Sequence, residues 1–550
     1  MAAVSHRREA PKIIVERSGH TMTTTSDAVA QDAPPNRFYR ALSAIERAGN
    51  KLPHPFWLFV ILIAILGAVS AILAANRVSV TLPSTGETVA VNNLLSVEGA
   101  QFAIQSALTN YSTFPPLAMV VVVLLGVSVA ERSGLLTALL RITVGRLPVR
   151  LLTFSIAFSA MIAHVMSDSA YLVMIPLGAL AFRAAGRSPV LGLMVAYAAT
   201  AVGFNASPLV TPADAIRSSL STAAAQIVDA EYLITPVATY FFTATSSVVL
   251  AAAIAIFVDR VLARRSDFSA EQLEADFVVS DRLFNTEGAA SATTVRSITL
   301  SKVETRALLA AGGVFAACVV VMALMLLPGS PFLGEEGGLI DSYVVKYIAI
   351  FISVIFTLLG ITYGRITGTI PRFSDVPPAM AEGVRSLAPV LVLFFVVSQF
   401  LAYFTWTNIG SVVSVNGAGL LRSLEAPHLV VLLVILFAIC ILNMLITSGS
   451  AMWSILAPVV IPLVMYVGIA PESAMVAFMI GDSVTNCITP LNGYFVLALG
   501  FVQQFRKGAG IGTLLSFTIP IAVVVLITWT ALFLLWYALG IPLGPGVAIR

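Results

Sequence analysis

The sequence predicts an all-α polytopic membrane protein of nine transmembrane helices and two re-entrant helical hairpins in an inverted repeat, with two of the crossings broken mid-membrane. Three observations carry this prediction. Of 550 residues, 58% are hydrophobic and only 11% are Asp, Glu, Lys or Arg, where a soluble domain carries about 25% charged residues. Charge-free apolar stretches recur almost from end to end, leaving little room for a soluble domain. Two short motifs recur in the two halves at matched spacing.

Residues 1–50 are polar, with Arg7, Arg8, Lys12 and Arg17 and no apolar run of the kind a signal peptide needs. They are expected to form a disordered cytoplasmic tail, and residues 51–545 a single membrane domain. The net charge of +3 is too small and too scattered for nucleic-acid binding. Cys318, Cys440 and Cys487 lie singly in apolar segments, without the close spacing of a zinc or redox site.

The first span, 55–75, follows eight Lys/Arg residues, which holds the N-terminus in the cytoplasm. An outer loop, 76–113, leads to a span at 114–131 and a cytoplasmic loop with Arg132, Arg141, Arg146 and Arg150. Next come two apolar runs of 13 residues, 151–163 and 170–182, around a polar tip at 164–170. Each run reaches about 20 Å, against a hydrocarbon core of about 30 Å. Arg183 and Arg187 then return the chain to the side it left, so 151–182 reads as a re-entrant hairpin open to the cytoplasm. Residues 190–225 cross outward, interrupted at 203–212 by Gly203, Pro208 and Pro212 among Asn, Ser and Thr. A span at 236–258 leads to a basic loop, 259–306.

The second half repeats the plan, with spans at 307–327, 342–364 and 387–406. A second hairpin at 429–467, tip 447–451, opens outward, and its arms of 19 and 17 residues are also long enough for two full spans. A crossing at 473–503 is broken at 481–490, and a last span covers 512–540. The broken segments GFNASPLVTP (203–212) and GDSVTNCITP (481–490) share Gly, Thr and Pro in register. The tips SDSA (167–170) and SGSA (448–451) precede them by 36 and 33 residues. Parity gives the two units opposite orientations, the inverted-repeat signature of secondary transporters. Unwound backbone at that depth exposes N–H groups to anions, and carbonyl and side-chain oxygens to cations.

Asp168 and Asp482 are carboxylates placed within the membrane, where a charge is costly and usually functional. Structurally, Asp168 could instead cap a hairpin arm, and Asp482 could accept backbone N–H bonds. Asp214 sits in a first helical turn, where Asp is common anyway. Asn205, Ser207 and Thr211 in one unit, with Ser483, Thr485, Asn486 and Thr489 in the other, offer neutral oxygens for a hard cation. Na⁺ is expected at Asn205 and Asn486. Neutral oxygens suit Na⁺ and the aspartates suit H⁺, so either is a candidate coupling ion. His164 and Asp168 are one turn apart and raise a proton relay against simple hydrogen bonding, and Trp453 either lines a cavity or packs.

Four segments carry a family resemblance: Glu-Arg-Ala-Gly-Asn-Lys-Leu-Pro-His-Pro at 46–55, Ser-Asp-Ser around Asp168, Ser-Ala-Met-Trp ending at Trp453, and the GDSVTNCITP stretch around Asp482. From about residue 40 to 540 the chain resembles the p-aminobenzoyl-glutamate transporter (AbgT) family. The resemblance implies a homodimeric transporter of the bacterial inner membrane, with nine transmembrane helices and two hairpins. It would use an ion gradient to move p-aminobenzoyl-glutamate or antifolates such as sulfonamides, without a cofactor. Substrate-binding positions carried over are Asp168, Ser450, Trp453, Pro471, Asp482 and Pro490, to which the residue chemistry adds Asn486. The family pattern has Arg three residues before the GDS aspartate, where this chain has Met479. A cation for a substrate carboxylate would then be missing, which leaves a different carboxylate substrate as the alternative. An intramembrane aspartyl hydrolase using Asp168 with Asp482 is the rival from another class, and would need the two carboxylates to share a proton.

Overall fold

The computed structural model describes residues 54–81, 86–145, 148–265, 272–277, 279, 299–333, 342–423 and 425–549. The expected tail over 1–50 lies outside the described residues. The first half runs through α1 (Pro55–Ala75), an antiparallel ribbon β1 (Ser79–Thr81) and β2 (Thr88–Ala90), α2 (Val97–Ser112), α3 (Pro115–Ser133), α4 (Leu135–Gly145), α5 (Leu152–Ile162), α6 (Ser169–Ala184), α7 (Pro189–Val202), α8 (Pro212–Ala225) and α9 (Tyr240–Arg260). The second runs through α10 (Lys302–Met325), α11 (Ile348–Thr367), α12 (Val376–Trp406), α13 (Ile409–Ser423), α14 (His428–Asn443), α15 (Gly449–Val467), α16 (Pro471–Thr485), α17 (Gly493–Phe505) and α18 (Ile511–Leu539). Proline opens α1, α3, α7, α8 and α16, where a missing N–H costs no intrahelical bond. Gly134, Gly368, Gly468 and Gly540 close α3, α11, α15 and α18 in the left-handed conformation.

Among the described residues, eight helical stretches are long and apolar enough to cross a membrane. Seven coincide with expected spans, and the eighth is α15, the 19-residue second arm of the second hairpin. The two remaining expected crossings are the broken ones, built from half-helices of 14 and 14 residues (α7, α8) and 15 and 13 residues (α16, α17). At a rise of 1.5 Å per residue each half reaches about 20 Å, so neither alone spans the hydrocarbon.

Two expectations need correction. The loop expected over 76–113 is the β1–β2 ribbon followed by the 16-residue α2. α2 leans on α12 through Phe102 stacked on Trp406 (centroids 5.1 Å) and through Asn110 donating to Gln399 (2.9 Å). The second break begins later than expected. α16 continues through Gly481, Asp482 and Ser483 to Thr485, and Gly481 serves packing within the helix: a Cβ there would lie 2.7 Å from the Leu436 carbonyl oxygen of α14.

Contacts among helix ends and loops form two groups according to the side that the charge pattern gives their segments. In the group expected inside, Arg141 pairs with Glu304 (2.7 Å), Arg187 with Asp259 (2.6 Å) and Arg506 with Asp276 (2.9 Å). In the group expected outside, Asn92 donates to the Trp406 carbonyl (2.7 Å), Phe241 N–H to the Leu543 carbonyl (2.9 Å) and Ser473 to the Ile549 carbonyl (2.6 Å). In the latter group, Tyr232 also donates to the buried Glu472 carboxylate (3.2 Å to the nearer oxygen). Burial and that carboxylate hold the Tyr232 phenol well above its ordinary pKa, so it remains a donor.

Candidate functional site

The two interrupted helix pairs meet. α7 stops at Val202, and the unwound backbone of 203–211 carries Asn205 onto α16 of the other half. Asn205 donates its backbone N–H to Ser483 Oγ (3.1 Å) and its side-chain amide to the Met479 carbonyl (3.1 Å) and to Asp482 Oδ2 (2.9 Å). From the end of α14, Asn443 donates to the Asp482 carbonyl (2.6 Å), Thr485 Oγ1 (2.8 Å) and Asn486 Oδ1 (3.0 Å). The tip between α14 and α15 closes over the carboxylate, where a Cβ on Gly449 would stand 2.9 Å from both Asp482 oxygens. Asp482 is 1% exposed, and a charge at membrane depth costs about 2.5–3.5 kcal/mol on insertion scales. One oxygen is met by Asn205, while Oδ1 has no hydrogen-bond partner in the structure.

The first hairpin docks on the second break. Its tip turns at Ser167 with φ of 50°, a conformation costing a residue with a Cβ about 1–3 kcal/mol and common at ligand-binding turns. Asp168 follows at the start of α6, without making a side-chain cap bond, and Tyr494 of α17 lies within hydrogen-bonding reach of it. Tyr171 stacks on Tyr494 with ring centroids 4.1 Å apart. Each hairpin therefore packs against the broken crossing of the opposite half: α6 on α17, and α15 on α8, where Trp453 donates its indole N–H to Ser221 Oγ (2.9 Å).

Between these elements lies a cavity of about 700 Å³. Asp168, Ser450, Asp482 and Asn486 line it. Glu131 of α3 and Glu382 of α12 add carboxylates from the flanking helices, and Arg132 and Arg217 add guanidiniums. Tyr171, Phe204, Phe478 and Tyr494 give it aromatic walls. An amphipathic, partly aromatic solute suits such a lining.

Other expected positions lie elsewhere. Trp453 does not line the cavity; it is fully buried against Phe478 (centroids 4.4 Å) and packs. Pro471 opens α16, 11 residues before Asp482, about 16 Å away along the helix. Pro490 stands in the second break without lining the cavity. Ser207 Oγ accepts from Leu209 N–H (3.1 Å), and Thr211 Oγ1 is the N-cap of α8, bonded to Asp214. Thr485 Oγ1 donates to the Gly481 carbonyl (3.2 Å), and Thr489 to that of Met444 (3.4 Å). Asn205 Oδ1, expected to meet Na⁺, accepts from Arg217. His164 Nε2 faces the Thr200 carbonyl at 2.7 Å and therefore donates, so its bond is to backbone and not to Asp168.

The residue that sequence reasoning missed is Arg217. It is 4% exposed, lines the cavity and donates to both Asn205 and Asp214. With Met479 in place of an arginine, the cavity wall still carries a buried guanidinium, which comes from α8. An arginine inside a membrane half-helix was the available signal. Asn443, buried in an apolar run, was the other.

The model of the AbgT transporter family matches residues 40–550. The p-aminobenzoyl-glutamate transport protein of Escherichia coli (strain K12) is 34% identical over 508 residues, which is 92% of this chain and 96% of that protein. The YdaH transporter of Alcanivorax borkumensis superposes with a TM-score of 0.81 at 34% identity, covering 90% of this chain and all of that one. Neisseria gonorrhoeae MtrF, of a class of antimetabolite efflux pumps, does so with a TM-score of 0.83 at 34% identity, covering 92% of this chain and all of that one. These relatives are transporters and not enzymes, and in this chain Asp482 is held by Asn205 and not by a second carboxylate. A helical chain with eight membrane-length stretches among the described residues, a polar cavity between two interrupted helix pairs and relatives of this kind is a multi-pass membrane protein of the AbgT family of transporters.

Proposed function

We propose that this protein is an ion-coupled secondary transporter of p-aminobenzoyl-glutamate or a related small organic anion, antifolates such as sulfonamides included. The observation that carries the reading is the convergence of both hairpin tips and both broken crossings on one cavity, with Asp168 and Asp482 in its wall. Substrate contacts are assigned to Asp168, Ser450, Asp482 and Asn486. Trp453, Pro471 and Pro490 act at one remove, by fixing the helices that carry those groups.

Coupling is assigned to the Asp482 carboxylate. Its Oδ1 and the Oδ1 of Asn443 are buried without hydrogen-bond partners, as expected of oxygens that await Na⁺ or a proton. Because Arg217 occupies the Asn205 oxygen, the cation position moves toward Asn443 and Asn486. Nine crossings and two re-entrant hairpins, with the N-terminus in the cytoplasm of a bacterial inner membrane, account for the charge pattern and for the two groups of loop contacts. α10, with Leu309, Phe315, Val320 and Leu324 at least half exposed, supplies an apolar face for lipid or for a second copy in a homodimer. Efflux of antimetabolites fits the relatives as well as import does.

Binding of p-aminobenzoyl-glutamate to the purified protein tests this reading, measured with Na⁺ and with choline at two pH values, for wild type and Asp482→Asn. Wild type should bind more tightly either with Na⁺ than with choline or at one of the two pH values, and Asp482→Asn should lose that dependence. Binding indifferent to both ions in the wild type would refute coupling through Asp482.

A further inference from the structure

We infer that Arg217 is the residue that recognises the anionic group of the transported solute and so sets the preference for carboxylates over neutral analogues. The inference rests on the transport reading above and deepens it. Two guanidiniums line the cavity. Arg132 is exposed at the end of α3, whereas Arg217 is 4% exposed. A buried guanidinium is the stronger anion ligand, because little water competes with it.

The surroundings of Arg217 fix it in place and leave part of it unused. Asp214 holds one terminal nitrogen and is itself fixed on its other oxygen by Thr211, through N–H (2.7 Å) and Oγ1 (2.8 Å), in the capping box that opens α8. The other terminal nitrogen donates to Asn205. Nε is buried with no partner among the protein groups. Arg217 stands in the wall of the cavity with its buried Nε unsatisfied, and its planar fork of donors suits a carboxylate or a sulfonamide anion once it turns toward the cavity. Pro212, Ala213 and Ile216 line the cavity beside Arg217, so the N-terminal end of the 14-residue α8 faces the same space with its positive dipole end.

The same contacts link anion recognition to Asp482. Arg217 donates to Asn205 Oδ1, and the amide of that same Asn205 donates to Asp482 Oδ2. Asn205 also bonds the carbonyl of Met479, so the guanidinium stands one side chain away from position 479. Met479 itself is fully buried and absent from the cavity wall. A solute anion that draws Arg217 toward itself would loosen its hold on Asn205, and that change reaches the carboxylate assigned to coupling.

The test is uptake of p-aminobenzoyl-glutamate and of its uncharged diamide by proteoliposomes of wild type, Arg217→Gln and Arg217→Lys. Charge-assisted hydrogen bonds of this kind set an expected preference of about tenfold to a hundredfold in kcat/KM for the diacid in wild type. Arg217→Gln should raise KM for the diacid about tenfold to a hundredfold more than it raises KM for the diamide, so that the preference for the diacid is lost. Arg217→Lys, which keeps the charge opposite Asp214 but loses the fork, should fall between them and guards against a misfolded Gln variant. Equal loss for both solutes in both variants would assign Arg217 a merely structural role and overturn the inference, as would an unchanged preference. If wild type transports neither compound, the substrate reading falls and this inference with it. If wild type prefers the diacid and Arg217→Gln keeps that preference, only the assignment of Arg217 falls.

Discussion

Gly449→Ala probes the meeting of the second hairpin tip with Asp482 at a single atom. The added Cβ would stand 2.9 Å from both carboxylate oxygens and 3.2 Å from Cγ. Contacts under 3.0 Å do not persist, so either the tip retreats or the carboxylate moves. The carboxylate is held by Asn205 at 2.9 Å, and its backbone carbonyl by Asn443 at 2.6 Å, so neither route is cheap. Overpacking of this kind costs about 1–3 kcal/mol, equivalent to about 5-fold to 150-fold in an equilibrium constant. The cost falls on the carboxylate assigned to coupling, so the concentration of coupling ion giving half-maximal uptake should rise by that factor. Gly313→Ala is the matched control, since a Cβ there meets nothing within 4 Å and should change nothing. Wild-type ion dependence of Gly449→Ala in proteoliposome uptake would refute the close approach of the tip to the coupling carboxylate.

Other substitutions separate packing from recognition. Trp453→Phe leaves the buried Ser221 hydroxyl without its indole donor; the variant should lose about 1–3 kcal/mol of stability, seen as a lower melting temperature in detergent, with KM for substrate unchanged. A raised KM with normal melting would instead make Trp453 a substrate contact. Tyr232→Phe removes the donor to the Glu472 carboxylate; amide exchange at the start of α16 should accelerate, and unchanged exchange would show that the pair contributes nothing. His164→Gln keeps an N–H donor for the Thr200 carbonyl; the pH profile of uptake should match wild type, whereas a shifted profile would revive the relay with Asp168.

Much of the fold is written in local chemistry, and the departures have local causes too. Charge-free runs and Lys/Arg clusters locate the long spans because dehydrating a charge is costly wherever it occurs. The first break is legible because Gly203 caps α7 and Pro212 opens α8. At the second, Gly481 resembles a helix breaker in sequence, yet it is a glycine because the Leu436 carbonyl lies too close for a Cβ; only the packed structure distinguishes the two. Asp168 and Asp482 stand out as intramembrane carboxylates and line the cavity. Arg217 does not stand out, because Asp214 three residues before it looks like the ordinary partner of a surface helix. Its place depends on Asn205, 12 residues away across the break. Trp453 shows the reverse: its motif neighbours the hairpin tip, but its ring turns inward toward Ser221 and Phe478.

The central claim is that the cavity between the broken crossings carries solute across the membrane at the expense of an ion gradient. Its most direct test is accumulation of labelled p-aminobenzoyl-glutamate in proteoliposomes under separately imposed Na⁺ and H⁺ gradients, with wild type beside Asp482→Asn. Wild type should concentrate the solute above the external level under one of the gradients, and Asp482→Asn should bring it no further than equilibration. Equilibration without accumulation by wild type under either gradient, or accumulation by Asp482→Asn equal to wild type, would contradict it.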